Sequence, residues 1–328
     1  MKKLLVLLVI LFALTVGLAY LTLEQSSGPR DALVLLEIPK GSSTLKIGQI
    51  LEQSHLVRSP LQVIAWRALH PRARLQAGEY LFKQESTPNQ VLAKIARGEV
   101  FFQELTIPEG SSIFDISRIL DEQKLLDGAE FLRAAKDPAM IRDFDPKALT
   151  LEGYLFPSTY RLPKRFTAQW LCQRLTKQFR DSWKSLNTEG IDPHEIVTLA
   201  SLVEKESAIP AERPKIAGLF RNRLNQGMKL ECDPTTIYAA LIEDRYRGTI
   251  YKSDLANTSP YNTYQHVGLP PGPIANPGLE SLKAALHPAE TDAVFFVAEP
   301  GGTGHHVFSK LLADHNKAVE AYRRGQRR

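Results

Sequence analysis

The sequence predicts an α+β protein with an N-terminal transmembrane helix, a β-α-α-β module, and a mostly helical C-terminal domain carrying a small β element. Three observations predict it. An apolar run from Leu4 to Leu23 follows Lys2 and Lys3. A strand, turn, cap and helix pattern at Ile38 returns at Ile107. From roughly Met140 onward the chain reads as helices joined by Pro- and Gly-rich, aromatic-bearing loops. The 328 residues leave room for two or three domains, and a hydrophobic content of 43% can fill a real core.

The apolar run comes first. At about 1.5 Å per residue it measures roughly 30 Å, the thickness of a bilayer's hydrocarbon core. A cleaved signal peptide competes with this reading because the lengths overlap. Gly17-Leu18-Ala19 is a poor cleavage site, however, and a signal's apolar region is usually only ~7–15 residues long. No cysteine lies near the segment, which excludes lipoprotein processing. Residues 1–23 are therefore expected to form an anchor. Positive residues stay cytoplasmic, so the expectation is a single-pass cell inner-membrane protein with its N-terminus in the cytoplasm and the remainder periplasmic. Residues 24–32, polar with Gly28 and Pro29, read as a linker.

Residues 33–139 contain an internal repeat. Ile38-Pro39-Lys40-Gly41-Ser42-Ser43 returns as Ile107-Pro108-Glu109-Gly110-Ser111-Ser112. Downstream, Ile47, Ile50, Leu51 and Leu56 correspond to Ile116, Ile119, Leu120 and Leu125. Each copy reads as a strand, a Pro-Gly turn, a Ser cap and an amphipathic helix. The alternative is a common turn-plus-cap signature that arose twice. In the first copy a second short helix (Pro60 to Ala68) and a strand (Ala77 to Phe82) follow. With Gly41, Leu45, Ile47 and Gly78 in place, this order resembles a LysM module, a fold that binds N-acetylglucosamine polymers. Those positions form a packing pattern, so sugar binding and a scaffold role both remain open.

Residues 140–328 carry the helical texture. Asp192-Pro193 opens a helix reaching about Ser207, and Ala211 to Gln226 forms another, stopped by Gly227. Asp233-Pro234 starts a third, with Asp233 as its cap, and Asn276-Pro277 a fourth. Two strands, Ala293 to Ala298 and His306 to Ser309, flank Gly301-Gly302-Thr303-Gly304, and a last helix begins near Leu311.

Composition narrows the function. Net charge is +5, but the basic residues are scattered apart from the tail ending at Arg328, so nucleic acid is not an expected partner. A mildly basic surface also suits a carboxylate-rich polymer. Cys172 and Cys232 are the only cysteines, read as two buried thiols with a disulfide left open. No His pair has helical ligand spacing, so no metal and no other cofactor is expected.

The helix from His194 to Ser207 carries the chemistry. Ile196, Leu199, Ala200 and Val203 form an apolar stripe, and Glu206 falls about 60° from Val203, inside that arc. A carboxyl on a buried stripe, at a helix's negative C-terminal end, should resist ionisation. Cleavage of a glycosidic bond needs such a neutral acid, because the leaving oxygen departs poorly until protonated. The bland alternative is a buried Glu neutralised by Arg213 or Arg221. Glu204 lies about 200° from Glu206 around the helix, so the two cannot face one sugar together. Glu204 therefore reads as a salt-bridge or supporting residue, and Glu152 is the candidate for any second carboxylate.

Several motifs in order support a resemblance. Leu199-Ala200-Ser201-Leu202-Val203-Glu204-Lys205-Glu206-Ser207 resembles the signature helix of the endolytic murein transglycosylase (YceG-like) family. The match continues through Glu212-Arg213, Asn222-Arg223-Leu224, Asp233-Pro234-Thr235, Tyr261-Asn262-Thr263-Tyr264 and Gly268-Leu269-Pro270-Pro271-Gly272. Upstream, Leu151-Glu152-Gly153-Tyr154 to Tyr160 matches, with Ser158 where the family pattern has Asp. The resemblance covers nearly the whole chain. It implies a catalytic domain that cuts MurNAc–GlcNAc β-1,4 bonds of peptidoglycan without water, leaving 1,6-anhydro-MurNAc ends, with Glu206 as the catalytic acid and base. It implies peptidoglycan glycan strands as substrate and peptidoglycan synthases as candidate partners.

Around Glu206, the expected substrate-binding residues are Asn262, Tyr261, Tyr264, Glu152, Tyr160 and Glu204. Tyrosines stack on sugar faces and donate hydrogen bonds, although each taken singly reads first as a core or loop-packing residue. Two alternatives remain: a non-catalytic peptidoglycan-binding scaffold of the wall-synthesis machinery, and a muramidase in which water attacks.

Overall fold

The computed structural model describes residues 10, 17, 20–26, 32–83, 85–186, 188–207 and 209–325. The chain forms two compact units, one of residues 1–104 with 161–165, the other of residues 105–160 with 166–328. The architecture is α+β, with three two-stranded sheets among the described residues.

In the first unit, β1 (Leu33–Ile38) leads to α1 (Thr44–Gln53), α2 (Pro60–Leu69), β2 (Gly78–Lys83) and α3 (Pro88–Arg97). β1 and β2 pair antiparallel, with Leu33 opposite Lys83 and Ile38 opposite Gly78. The helix starts are set locally. Ser43 accepts from the Lys46 amide, Ser59 from the Leu61 amide, and Thr87 and Gln90 close a reciprocal capping box. Ile47, Leu51, Val63, Trp66, Val91 and Ile95 then bury together with Ile38, Tyr80 and Phe82. Gly48 permits the close approach of α1 and α2, because a Cβ there would lie 2.8 Å from Pro60.

The N-terminal expectation requires correction. Among the described residues no helix is long and apolar enough to cross a membrane. The longest, Ala168–Lys184, has 17 residues and carries Arg174, Lys177, Arg180 and Asp181. At about 1.5 Å per residue it measures about 26 Å, short of a hydrocarbon core. Of the expected anchor over residues 1–23, only Ile10, Gly17 and residues 20–23 are described, and the rest lies outside the described residues. Leu23, the end of the apolar run, is 1% exposed within the first unit's protein core. The transmembrane helix of the predicted fold class, and the single-pass inner-membrane localisation built on it, are corrected on these grounds.

The second unit contains α4 (Ile113–Glu122), α5 (Gly128–Ala135), α6 (Ala168–Lys184), α7 (Pro193–Glu206), α8 (Arg213–Asn225), α9 (Asp233–Ile242), α10 (Lys252–Leu255) and α11 (Leu279–Leu286). A hairpin of β5 (Phe295–Ala298) and β6 (His306–Ser309) and a final α12 (Leu312–Gly325) follow, while β3 (Gln103–Ile107) pairs with β4 (Ser158–Leu162). Both copies of the repeat form a strand, a left-handed glycine and a serine-capped helix. Gly41 and Gly110 have φ of 80° and 74°, a backbone that costs a side chain strain, and Ser43 and Ser112 are the caps.

α7 is the hub of this unit. Asp192 caps it through the His194 amide, Pro193 occupies the first turn, and every residue from Ile196 to Glu204 is buried. It is wrapped on more sides than an amphipathic stripe requires, by α8, α9 and α11. Its first turn is pinned by His194, whose Nδ1 lies 2.7 Å from Asp145 Oδ2 and Nε2 3.0 Å from the Pro271 carbonyl. The Tyr154 hydroxyl donates to the same Asp145 oxygen. The helix stops at Ser207, where the backbone turns extended. Glu206 is therefore the last residue of a rigid rod held along its length.

Candidate active site

Glu206 opens into a cavity of about 430 Å³ whose walls include Arg223, Asp233, Tyr264, Phe296, His315 and Asn316. Protein atoms crowd its carboxyl while leaving it partly accessible from the cavity. Burial pushes its pKa up, and the Asp233 carboxylate pushes the same way. The Cys232 thiol, His306 and Arg223 pull it down, and the net shift is upward. The acid is thus biased towards its neutral, proton-carrying form.

Neither arginine from the neighbouring helix neutralises it. Arg213 Nη2 donates to Glu204 Oε1 at 2.7 Å, and Arg221 Nη1 to Glu195 Oε1 at 2.6 Å. Among the described residues Glu206 forms no salt bridge.

Distant segments build the cavity walls. Arg223 is buried, donating to the carbonyls of Val294 (2.6 Å) and Leu230 (2.8 Å), and it ties α8 to β5 and to the loop before α9. The Tyr264 hydroxyl donates to Asp233 Oδ1 at 2.6 Å, which orients that carboxylate. His315 stacks on Phe295 with centroids 5.3 Å apart, and its buried Nδ1 has no hydrogen-bond partner among the described residues. Burial, then the Arg223 charge, lowers the His315 pKa, which favours the neutral ring.

The residues expected at the site from sequence are dispersed. Of the six expected to accompany Glu206, Tyr264 alone lines its cavity. Asn262 is fully buried: its Nδ2 donates to the carbonyls of Asp254, Leu255 and Asn257, and its Oδ1 accepts from the Tyr264 amide at 3.0 Å. It shapes the loop that presents Tyr264. Tyr261 packs against Tyr238, with ring centroids 5.1 Å apart, and burial pushes its hydroxyl up to about 12. The Tyr160 hydroxyl donates to the Phe156 carbonyl.

Glu204 is held by Arg213 and by the Gly278 amide at 2.9 Å. Glu152 is buried, accepting from the Ile113 amide and from Asn276 Nδ2, each at 2.9 Å. Burial raises its pKa to about 8. It serves the junction between the second repeat copy and the strand-free segment at Asn276. Asn276 itself caps no helix, since α11 begins three residues later behind Gly278. Asp233 is likewise the first residue of α9, with Cys232 at the cap position.

Asp233, Arg223, Phe296 and His315 escaped sequence reasoning as site residues. Asp233 and Arg223 do stand in the quoted motifs, and His315 near the chain's end, but no local pattern connects them.

Known proteins resemble this chain over most of its length. The chain is 34% identical over 320 residues to a Bacillus subtilis protein named endolytic murein transglycosylase, covering 92% of this chain and 88% of that one. A Streptococcus pneumoniae protein of the same name is 29% identical over 87% of this chain and 58% of its own length. A crystal structure of a YceG-like protein from Listeria monocytogenes matches with a TM-score of 0.57 and 32% identity, over 88% of this chain and 99% of that one. The YceG-like family model spans residues 36–321, Glu206 and its cavity included, and the chain belongs to that family.

Proposed function

We propose that this chain is an endolytic peptidoglycan lytic transglycosylase in which Glu206 is the sole general acid and base. The observation that carries the reading is Glu206 itself, a carboxyl biased towards neutrality, at the end of a helix buried from Ile196 to Glu204 and open to a cavity. Relatives named endolytic murein transglycosylase support the substrate class and the reaction.

The reaction follows from that placement. The Glu206 proton passes to the glycosidic oxygen, the C1–O bond of MurNAc breaks, and its electron pair leaves with the GlcNAc oxygen. Positive charge develops at C1 and the ring oxygen. The Asp233 carboxylate, oriented by Tyr264, stabilises that charge. The C6 hydroxyl oxygen of the same MurNAc then bonds to C1, and its proton returns to the Glu206 carboxylate. No water is consumed. The nucleophile is tethered to the reacting ring, so closure has the advantage of an intramolecular reaction. The aromatic walls at Phe295 and Phe296 help exclude water from the reacting bond.

Mass spectrometry of digested uncrosslinked glycan strands tests the proposal. Fragments should end in 1,6-anhydro-MurNAc, one water lighter than hydrolysis products. Reducing MurNAc ends would make the enzyme a muramidase using Asp233 or Glu231, both in the walls of the Glu206 cavity, to activate water. No fragments from folded protein would favour the binding scaffold.

A further inference from the structure

A second cavity, of about 460 Å³, lies beside the Glu206 cavity and carries a different chemistry. Its walls include Phe114, Tyr238, Tyr246, Lys205 and Pro234, together with Asp115 and Arg118, which pair with each other at 3.7 Å. The two cavities are neighbours because consecutive residues divide between them. Glu206 lines the first and Lys205 the second; Asp233 lines the first and Pro234 the second. Consecutive Cα atoms are about 3.8 Å apart, and consecutive helix side chains diverge by about 100°, so the two cavities lie on either side of the place where the α7 end meets the α9 start. That ridge is open, with Lys205 and Asp233 exposed and Pro234 partly so.

The second cavity has a built floor. Tyr238 is 3% exposed, and its hydroxyl hydrogen-bonds the buried Glu152 carboxyl, which is fixed in turn by the Ile113 amide and Asn276. Phe114 meets Tyr238 edge-on with centroids 6.0 Å apart, and Tyr246 is exposed at the rim. Lys205 contributes a cation whose Nζ donates to the Gly110 carbonyl at 3.2 Å, with no salt-bridge partner among the described residues. With Asp115 paired to Arg118, the Lys205 ammonium is the surplus charge of the cavity, and aromatic faces beside it suit a sugar ring that bears a carboxylate.

We propose that this cavity is a distal subsite for the same glycan strand, holding a further muramyl unit whose stem-peptide carboxylate meets Lys205. The inference rests on the transglycosylase reading. A strand cut internally must extend away from the bond at Glu206, and the open ridge leads to this cavity. The subsite grips the strand away from the cut, so it governs affinity for long strands and the position of cleavage.

The test compares Tyr246→Ala and Lys205→Gln with the parent enzyme on long strands and on fragments too short to cross the ridge, with thermal melting as the check on folding. Both variants should raise KM for long strands by about three- to tenfold, by more than for short fragments, and should shift the fragment-length distribution. The Lys205→Gln effect should shrink on strands stripped of stem peptides. An equal effect on long and short substrates, or none in folded variants, overturns the subsite. Failure of the parent enzyme to cut any strand would instead overturn the transglycosylase reading.

Discussion

Arg213 Nη2 donates to Glu204 Oε1 at 2.7 Å, with both side chains almost entirely buried. Two residues further along the same helix, Glu206 opens into a cavity without such a partner. One turn of helix therefore holds two carboxyls in opposite surroundings. Glu204 pairs with a guanidinium and ties α7 to α8. Glu206 is desolvated beside Asp233, and both effects bias it towards its neutral form.

Replacing Glu206 by Gln keeps the size of the side chain and removes the proton it must give. Cleavage should fall by about 10²–10⁴-fold with melting temperature preserved, the usual loss for a positioned general acid. Strand digestion followed by chromatography measures it. Full activity in the variant would remove Glu206 from the mechanism.

The Glu204–Arg213 pair should behave as a structural unit. Arg213→Ala leaves a buried carboxylate without its cation and should cost about 3–5 kcal/mol of stability by urea unfolding. Arg213→Met combined with Glu204→Leu should lose less than Arg213→Ala alone, because both charges go together. Equal losses would mean that the pair matters for something other than charge compensation.

The pH dependence of cleavage follows from the upward shift at Glu206. The acid must be protonated at the start of the reaction, so activity should persist above the ordinary carboxyl value of 4.5 and fall as pH rises through its shifted value. Burial is the main cause of that shift and Asp233 a further one. Asp233→Asn removes a neighbouring negative charge and should move the basic limb of the kcat/KM profile to lower pH. An unmoved limb would mean that the two groups do not interact.

Tyr264→Phe deletes the hydroxyl that donates to Asp233. If that hydrogen bond orients the carboxylate towards the developing charge, kcat should fall several-fold while KM changes little. A change confined to KM would place Tyr264 in ground-state sugar binding instead.

Glu152 gives a stability prediction with a definite sign. Its folded pKa of about 8 exceeds its ordinary value of 4.5, so the folded state holds the proton more tightly. The stability this contributes is complete below pH 4.5 and is lost as pH rises towards 8. Melting temperatures recorded across that window should decline less steeply in Glu152→Gln than in the parent. Parallel curves would show that Glu152 titrates normally.

Much of this protein is legible one segment at a time. Asp192-Pro193 announces α7, Gly41-Ser42-Ser43 and Gly110-Ser111-Ser112 announce two serine-capped helices, and the apolar positions around Val203 place Glu206 on a buried arc. These features depend on capping, turn geometry and a 3.6-residue period, which residues a few positions apart decide among themselves. The tertiary structure decided what each polar side chain meets. It set Arg213 against Glu204 instead of Glu206, buried Asn262 as the staple of its own loop, and sealed Glu152 beneath the second repeat copy. It also brought Asp233, Arg223 and His315 to one cavity. Desolvation and charge pairing act through space over a few ångströms, between residues that lie more than a hundred positions apart in the chain, as Glu152 and Asn276 do, and no local pattern records them.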